Sequence, residues 1–242
     1  MAIDAFLPIA KIVLQYPASA RVLERYDIDY CCGGGRTLAA TCESEGFSVD
    51  DVVAAIEDVL EAEEPKACDW DAMSMAALCD QINATHHDYT REAFVHLTPL
   101  VAKVLNVHGE RHRELSDVQR LFEALAADLL PHLAKEERVL FPSIAAIEAD
   151  PNHPMARCFA GPLAVMRSEH ETVGKLLHDM RIVTRGYQPP PGACTSFRVL
   201  YAGLASLAAD LHTHIHLENN VLFPRVEARL ANAATPASHA DV

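Results

Sequence analysis

The sequence predicts an all-α protein in which a four-helix bundle follows a small helical domain. Apolar residues recur with a helical period along most of the chain, and no segment alternates as a strand does. Two segments also repeat one pattern: residues 132–142 read HLAKEERVLFP and residues 214–224 read HIHLENNVLFP, with six identities at equal offsets. A lone histidine precedes each segment, His87 by 45 positions and His170 by 44. The chain therefore contains two copies of a helix pair.

The composition excludes some classes of partner and favours a metal site. The 242 residues are 50% hydrophobic and 22% charged, which is typical of a globular protein with one good core and a small second domain. The net charge of −14, without a basic stripe, argues against nucleic acid and anionic membranes as partners. Thirteen histidines, mostly after residue 80, favour a metal site.

The termini and cysteines suggest a compartment. The N-terminus lacks the features of a signal peptide, and no apolar run reaches the ~20 residues of a membrane span. Seven scattered cysteines do not form a disulfide framework. We therefore expect a cytoplasmic protein.

The first part of the chain predicts four short helices around one irregular loop. An amphipathic helix is expected over residues 4–16, and Pro17 opens a second one. Residues 26–35 break the pattern, since they include three consecutive glycines. Thr37 is expected to cap the third helix, and Ser48 begins a capping box for the fourth.

Four longer helices follow, separated by Gly- and Pro-containing loops. Their predicted bounds are 73–105, 114–148, 160–185 and 194–232. The predicted division of the chain is a small helical domain over 1–64, a linker over 65–72, the bundle over 73–233 and a flexible tail over 234–242.

The repeated segments supply metal ligands. Residues four apart share a helix face, so the His and Glu of each segment can bind one metal. Leu140 and Leu222 continue the two stripes, which places the ligand face in the core. Pro142 and Pro224 then predict a kink or a helix break. The candidate metal ligands are His87, His132, Glu136, His170, His214 and Glu218.

Imidazole and carboxylate ligands without thiolate suit iron or manganese, and two bridging carboxylates hold a dinuclear pair. A closed zinc site is disfavoured, because such sites usually recruit cysteine. A single His-x-x-x-Glu is more often an exposed ion pair, but the duplication argues against that alternative. His86 is the nearest competitor of His87, and His108 can reach the site from the end of the first bundle helix.

The Cys31-Cys32 pair has three interpretations. A vicinal disulfide would be strained, because adjacent Cα atoms lie ~3.8 Å apart and disulfides usually need about 4.4–6.8 Å. Free thiols in an exposed loop would act in redox chemistry or iron transfer. The third interpretation is two small buried residues at a turn. The other five cysteines show no ligand spacing and are expected to be structural.

Residues 26–34 (YDIDYCCGG), 161–171 (GPLAVMRSEHE) and the two repeated segments together resemble the iron-sulfur cluster repair di-iron proteins, a branch of the hemerythrin-like group. The resemblance implies an up-down hemerythrin-like bundle and two iron ions with an oxo bridge. It implies the same six ligands, with Glu136 and Glu218 as bridges. The chain departs from the family pattern in a third glycine, Gly35, and in extra histidines, notably His86 and His216.

By that resemblance, the leading functional hypothesis is repair of iron-sulfur clusters damaged by nitrosative or oxidative stress. The protein would bind nitric oxide and donate iron to damaged iron-sulfur proteins, with Cys31 and Cys32 handling the iron or the partner. One alternative is a cytoplasmic nitric oxide or dioxygen buffer linked to denitrification, and another is a di-iron nitric oxide reductase. Enzymatic activity is left open, with a non-enzymatic role favoured, and a homodimer is suggested.

Overall fold

The computed structural model describes residues 3–62, 70 and 72–234. Within these residues every regular element is helical, apart from one antiparallel bridge between Pro8 and Thr37. The all-α fold is therefore confirmed. The linker predicted over 65–72 falls largely outside the described residues, as does the tail predicted over 234–242.

Four short helices form the N-terminal part, and a 3₁₀ turn over Pro17–Ser19 precedes the second. Helix α1 begins at Ile9 and not at residue 4, because Pro8 disfavours helical geometry in the residue before it. The Thr37 hydroxyl accepts a hydrogen bond from the backbone N–H of Ala40 at 3.2 Å, as its predicted capping role requires. The helices are α1 (Ile9–Gln15), α2 (Ala20–Arg25), α3 (Leu38–Glu45) and α4 (Val49–Ala62).

Four helical rods form the bundle. Rod one packs on rods two and four, and rod three also packs on rods two and four, so the four rods close a ring. Rod one consists of α5 (Met75–Ile82) and α6 (Asp88–His108), rod two of α7 (Glu114–Lys135) and α8 (Phe141–Ala149), rod three of α9 (Ala160–Val183), and rod four of α10 (Thr195–Leu217) and α11 (Phe223–Ala234).

Three rods contain a π turn where a candidate ligand lies. The turns span Asn83–His87, Glu136–Leu140 and Glu218–Leu222. In each, the next backbone N–H bonds to the carbonyl five residues back, so the helix widens without breaking. Pro142 and Pro224 follow two of the turns, where a kink or break was expected. Since proline lacks an N–H and its ring clashes with the carbonyl four residues back, a wide turn accommodates it.

Two hydrophobic cores fill the molecule. One joins the N-terminal helices to α6, α7, α9 and α10. The other lies among α5, α8, α11 and the start of α9. Along each rod, the candidate ligands lie between residues of one core and residues of the other. Among the described residues, no helix has the length and apolar character needed to cross a membrane.

Glu148 fixes the start of rod one. Its carboxylate accepts hydrogen bonds from the backbone N–H groups of Met75 and Ala76, at 2.7 and 2.9 Å. These N–H groups belong to the first turn of α5 and have no partner within the helix. A residue of rod two thus caps rod one.

We expect Glu148→Ala to destabilise the protein by about 1–2 kcal/mol, because two helix N–H groups lose their acceptor. The unfolding temperature should fall by roughly 2–8 °C. Thermal unfolding followed by circular dichroism measures this. Glu92→Ala, which changes an exposed glutamate of α6, is the control. Equal unfolding temperatures for the two variants would contradict the capping role.

Candidate metal centre

The six candidate ligands meet in the polar layer between the two cores, as two groups of four. One group is His87, Glu136, His214 and Glu218, and the other is His132, Glu136, His170 and Glu218. Within each group, one ligand atom per residue lies within 4.8 Å of the other three. Both glutamates belong to both groups.

Each glutamate turns one oxygen toward each group. In the first group, His87 Nε2 lies 3.4 Å from Glu136 Oε2, and His214 Nε2 lies 3.3 Å from Glu218 Oε1. In the second, His132 Nε2 lies 3.1 Å from Glu136 Oε1, and His170 Nε2 lies 3.0 Å from Glu218 Oε2. Carboxylates arranged in this way can bridge two cations.

The burial of this layer shows that the donors fit cations. All six residues are at most 1% exposed. None of the four carboxylate oxygens accepts a hydrogen bond from a described residue, which is costly for buried carboxylates. The Nε2 atoms of His87 and His214 lie 3.2 Å apart, and so do those of His132 and His170. Two cations would satisfy both the carboxylates and the facing imidazoles.

Outer partners orient three of the four imidazoles. The Nδ1 atoms of His87 and His132 lie 2.9 and 2.7 Å from the carboxylates of Glu137 and Glu169. His170 Nδ1 lies 3.0 Å from the Asn219 amide oxygen. Since these oxygens accept, Nδ1 donates and the Nε2 lone pair faces the group. The fourth imidazole, that of His214, has no Nδ1 partner among the described residues.

The outer partners follow the sequence repeat. Glu137 comes directly after Glu136, and Asn219 directly after Glu218. Similarly, the residue before His170 is Glu169, whereas the residue before His87 is His86. The His86 ring stacks on that of His214, with centroids 5.8 Å apart, and His86 Nδ1 forms a hydrogen bond with the Asp210 carboxylate at 2.8 Å. His86 thus lies beside the first group and not in it, where the repeat would have placed a carboxylate.

The repeated Leu-Phe-Pro also contributes to the site. The Phe141 ring packs on His87 with centroids 5.6 Å apart, and the Phe223 ring packs on His170 at 5.9 Å. The π turns carry these rings back over the imidazoles of neighbouring rods. They seal the polar layer on the side of the second core.

The glutamates carry different charge states when no metal is bound. Burial and the neighbouring Glu218 carboxylate raise the pKa of Glu136 to about 8. Burial also acts on Glu218, but the imidazoles of His214 and His170 outweigh it and hold the pKa of Glu218 well below its ordinary value. Burial lowers the pKa of His214 to about 4. A bound cation would displace the proton on Glu136.

One expectation from the sequence is wrong. His108 does not reach the site: about 30 Å of helix separates it from His87, and its Nε2 lies 3.2 Å from the sulfur of Cys194. The acids that follow the lone histidines, Asp88 and Glu171, are exposed and face away from the layer.

Cys31 and Cys32 lie in a loop that packs on rod four. Both are free thiols, with sulfur atoms 3.8 Å apart. The sequence left open whether these thiols are exposed or buried at a turn, and the structure divides them: Cys31 is only 3% exposed and Cys32 is half-buried. The pKa of the Cys31 thiol is raised by its hydrogen bond with Cys32, by burial and by the Asp29 carboxylate. Cys31 is therefore a protonated thiol, and Cys32 is the one that a partner can reach.

The loop is tightly built. Asp29 Oδ1 accepts hydrogen bonds from the backbone N–H groups of Cys31 and Cys32, and Oδ2 accepts from that of Gly33. Gly34 is required because a Cβ there would overlap the Tyr30 carbonyl oxygen. Asp29, Cys31 and Cys32 are also close enough to share a cation. Sequence reasoning missed Asp29, although an Asp two residues before a bend is a turn signal.

We expect Glu137→Ala to weaken metal binding about 10- to 100-fold, because His87 loses the acceptor that orients its ring. Competition with a chelator of known affinity measures the loss. The matched control is Glu171→Ala, which removes an exposed carboxylate beside His170. If both variants lose metal equally, the orienting role of Glu137 is wrong.

The raised pKa of Glu136 predicts how the stability of the metal-free protein depends on pH. The pKa is about 8 in the folded state against 4.5 as the ordinary value, so protonated Glu136 favours folding, and this contribution is lost as the pH rises to 8. Below pH 6.5, His214 and His216 act in the opposite direction, because burial lowers both their pKa values to about 4. The informative range is therefore pH 6.5–8.

In that range we expect the unfolding temperature of chelator-treated protein to fall as the pH rises. Glu136→Gln should show a smaller fall, because glutamine mimics the protonated acid and cannot ionise. Scanning calorimetry at several pH values measures both proteins. Parallel curves would show that Glu136 does not titrate in this range.

Comparisons with known proteins agree with this architecture. Residues 81–226 match the family model described as Hemerythrin HHE cation binding domain, and residues 7–60 match one described as Domain of Unknown function (DUF542). The iron-sulfur cluster repair protein YtfE of Salmonella typhimurium is 36% identical over 221 residues, which cover 91% of this chain and 96% of the relative. The proteins of the same name from Salmonella newport and Salmonella agona match equally well. The chain therefore belongs to the hemerythrin HHE family, in the branch of the iron-sulfur cluster repair proteins.

Proposed function

We propose that this chain is a di-iron protein that takes part in the repair of damaged iron-sulfur clusters. One observation carries the proposal: two buried glutamates are shared by two histidine pairs, and none of their four oxygens has a hydrogen-bond donor in the part of the chain that the structure describes. The family supports the repair function, since its relatives are named iron-sulfur cluster repair proteins.

The donor set supports iron. Histidine nitrogen and carboxylate oxygen without thiolate suit iron better than a structural zinc ion. His87 and His214 would hold one ion, His132 and His170 the other, and Glu136 and Glu218 would bridge them. The family resemblance adds an oxo bridge between the irons. When bound, such a pair supplies reversible redox chemistry and open positions for nitric oxide or dioxygen.

The protein's own residues prepare the site. Glu137 and Glu169 hold the protons of their imidazoles on Nδ1, so that Nε2 is free to bind a metal. Arg91 and Lys135 pair with the two carboxylates and, with His87 and His132, lower their pKa values despite burial. These acids therefore stay ionised and act as acceptors at neutral pH.

The cysteine loop distinguishes repair from simple gas binding. A nitric oxide or dioxygen buffer needs only the bundle, whereas here a dithiol loop packs directly beside Glu218, through Asn219 and Asn220. This observation favours iron donation, with Cys31 and Cys32 contacting the iron in transit or the client protein. Such thiols stay reduced in a cytoplasm, the compartment that we propose. A nitric oxide reductase needs the same ligands and is separated from repair by turnover.

The first test is metal content and visible absorption of protein purified without oxygen and then exposed to air or nitric oxide. We expect about two irons per chain and bands that change with nitric oxide. A stoichiometric response supports binding, and nitrous oxide formed over many turnovers would support a reductase. One zinc per chain, or no metal after iron supplementation, would contradict the di-iron proposal.

We expect Cys31→Ala with Cys32→Ala to keep the full iron content but to lose most of the repair of a nitric-oxide-damaged iron-sulfur enzyme. The thiols are not among the donors of the bundle site, so iron binding should not need them. Recovery of the client's activity and iron analysis measure the two effects. Cys42→Ala changes a buried thiol of the same domain and is the control. Loss of iron in the double variant would contradict this division of roles.

A further inference from the structure

The dithiol loop is joined to the bundle through its backbone carbonyls. The Cys31 carbonyl oxygen accepts hydrogen bonds from the side-chain amides of Asn220 at 3.0 Å and Asn219 at 3.4 Å. The preceding carbonyl, that of Tyr30, lies 3.2 Å from His216 Nδ1. Asn219 and Asn220 directly follow the candidate ligand Glu218, so the loop is docked beside the metal centre.

Asn219 alone among these residues reaches a candidate ligand. Its amide nitrogen donates to Cys31, and its amide oxygen accepts from His170 Nδ1 at 3.0 Å. Both partners fix the orientation of the Asn219 amide. In the flipped orientation the amide oxygen would face the Cys31 carbonyl oxygen, and the amide nitrogen would face the N–H of His170. His170 Nε2 belongs to the second ligand group. An unbroken path of two hydrogen bonds therefore runs from His170 to the loop.

The loop responds as one piece. Asp29 accepts hydrogen bonds from the backbone N–H groups of Cys31, Cys32 and Gly33, and so fixes both thiols relative to the Cys31 carbonyl. Cys31 is only 3% exposed, so we expect release of this carbonyl to increase its exposure.

From this path we infer that Asn219 is a positioning residue that couples metal occupancy at His170 to the closure of the dithiol loop. The inference rests on the proposed di-iron site and adds to it. A cation on Nε2 makes Nδ1–H a stronger donor, because it withdraws charge from the imidazole ring. The polarised Asn219 amide then donates more strongly to the Cys31 carbonyl. The loaded centre keeps the thiols closed, and loss of iron releases them.

Other residues of the repeat show what is specific to Asn219. At the equivalent position of the first repeat, Glu137 also binds an imidazole, that of His87, but a carboxylate has no N–H with which to hold a carbonyl. Only the second ligand group therefore has this connection among the described residues. Asn220 provides a contrast, because it holds the loop without contacting His170.

The test is the rate at which a neutral maleimide alkylates Cys31, resolved by mass spectrometry of peptides, in protein loaded anaerobically with Fe²⁺ and in chelator-treated protein. Buried Cys42 is the internal reference. In the unmodified protein we expect iron to slow the alkylation of Cys31 about three- to tenfold, the factor that one strengthened hydrogen bond gives to a local opening equilibrium. The alkylation of Cys42 should not change.

Asn219→Asp separates the two hydrogen bonds. Aspartate can still accept from His170 Nδ1, so iron content should stay the same and the visible bands should shift. It cannot donate to Cys31, so alkylation should be equally fast with and without iron. Asn220→Ala should raise both rates but keep their ratio. The Asn220→Ala result separates coupling from simple support of the loop. If both asparagines only supported the loop, the two variants would change the alkylation rates in the same way.

The outcomes distinguish the inference from the function. Iron uptake without any effect on Cys31 alkylation in the unmodified protein would overturn the coupling and leave the di-iron proposal intact. A ratio that persists in Asn219→Asp with normal iron content would likewise show that Asn219 is not the link. If the unmodified chain takes up no iron, both the proposed function and the inference are wrong.

Discussion

Two carboxylates, buried side by side without a hydrogen-bond donor among the residues described, are the constraint on which the rest of the molecule depends. Glu136 and Glu218 lie at the level where neither hydrophobic core provides a polar partner. Burying such a pair in its fully ionised form is strongly unfavourable unless positive charge lies between them, and in the metal-free protein the raised pKa of Glu136 keeps a proton on that carboxyl. The nearby imidazoles lower this cost only partly, since burial holds the pKa of His214 at about 4 and so disfavours its charged form. The packed ring of rods holds these carboxylates in place, so the site favours the binding of cations.

Neighbouring rods and opposite rods supply different ligands. Each histidine pair comes from adjacent rods, one from each repeat, whereas the two glutamates come from opposite rods and reach across the centre. Two of the three π turns begin at the glutamates themselves. Because a wide turn changes the direction of the side chains that follow it, Phe141 and Phe223 cover imidazoles of other rods. The duplicated Leu-Phe-Pro is therefore part of the site as well as of the helix.

Much of this could be predicted from the sequence, and the failures have physical causes. The repeat located the four rods and selected His87 over His86, because both signals are local and periodic. Proline marked two of the π turns, but nothing in Asn83–His87 marks the third, which depends on packing. The outer partners Glu137 and Asn219 occupy equal offsets in the repeat and were readable in principle. The docking of the Cys31 loop could not be predicted from the sequence, since its partners are 188 and 189 residues away.

The two ligand groups differ in the hydrogen-bond partners of their imidazoles. In the first group, no residue that the structure describes accepts from His214 Nδ1, because His86 stands where the repeat has a carboxylate. In the second, both imidazoles have partners, and one partner is the amide that touches the dithiol loop. An imidazole whose N–H has no acceptor is a weaker base and a less firmly oriented ligand. In the proposed di-iron centre, the first group would therefore hold its iron less firmly than the second, and the second is the group whose occupancy would reach the cysteines. This asymmetry supports the proposed donation of iron over simple gas binding, because gas binding does not require two metal sites of unequal strength.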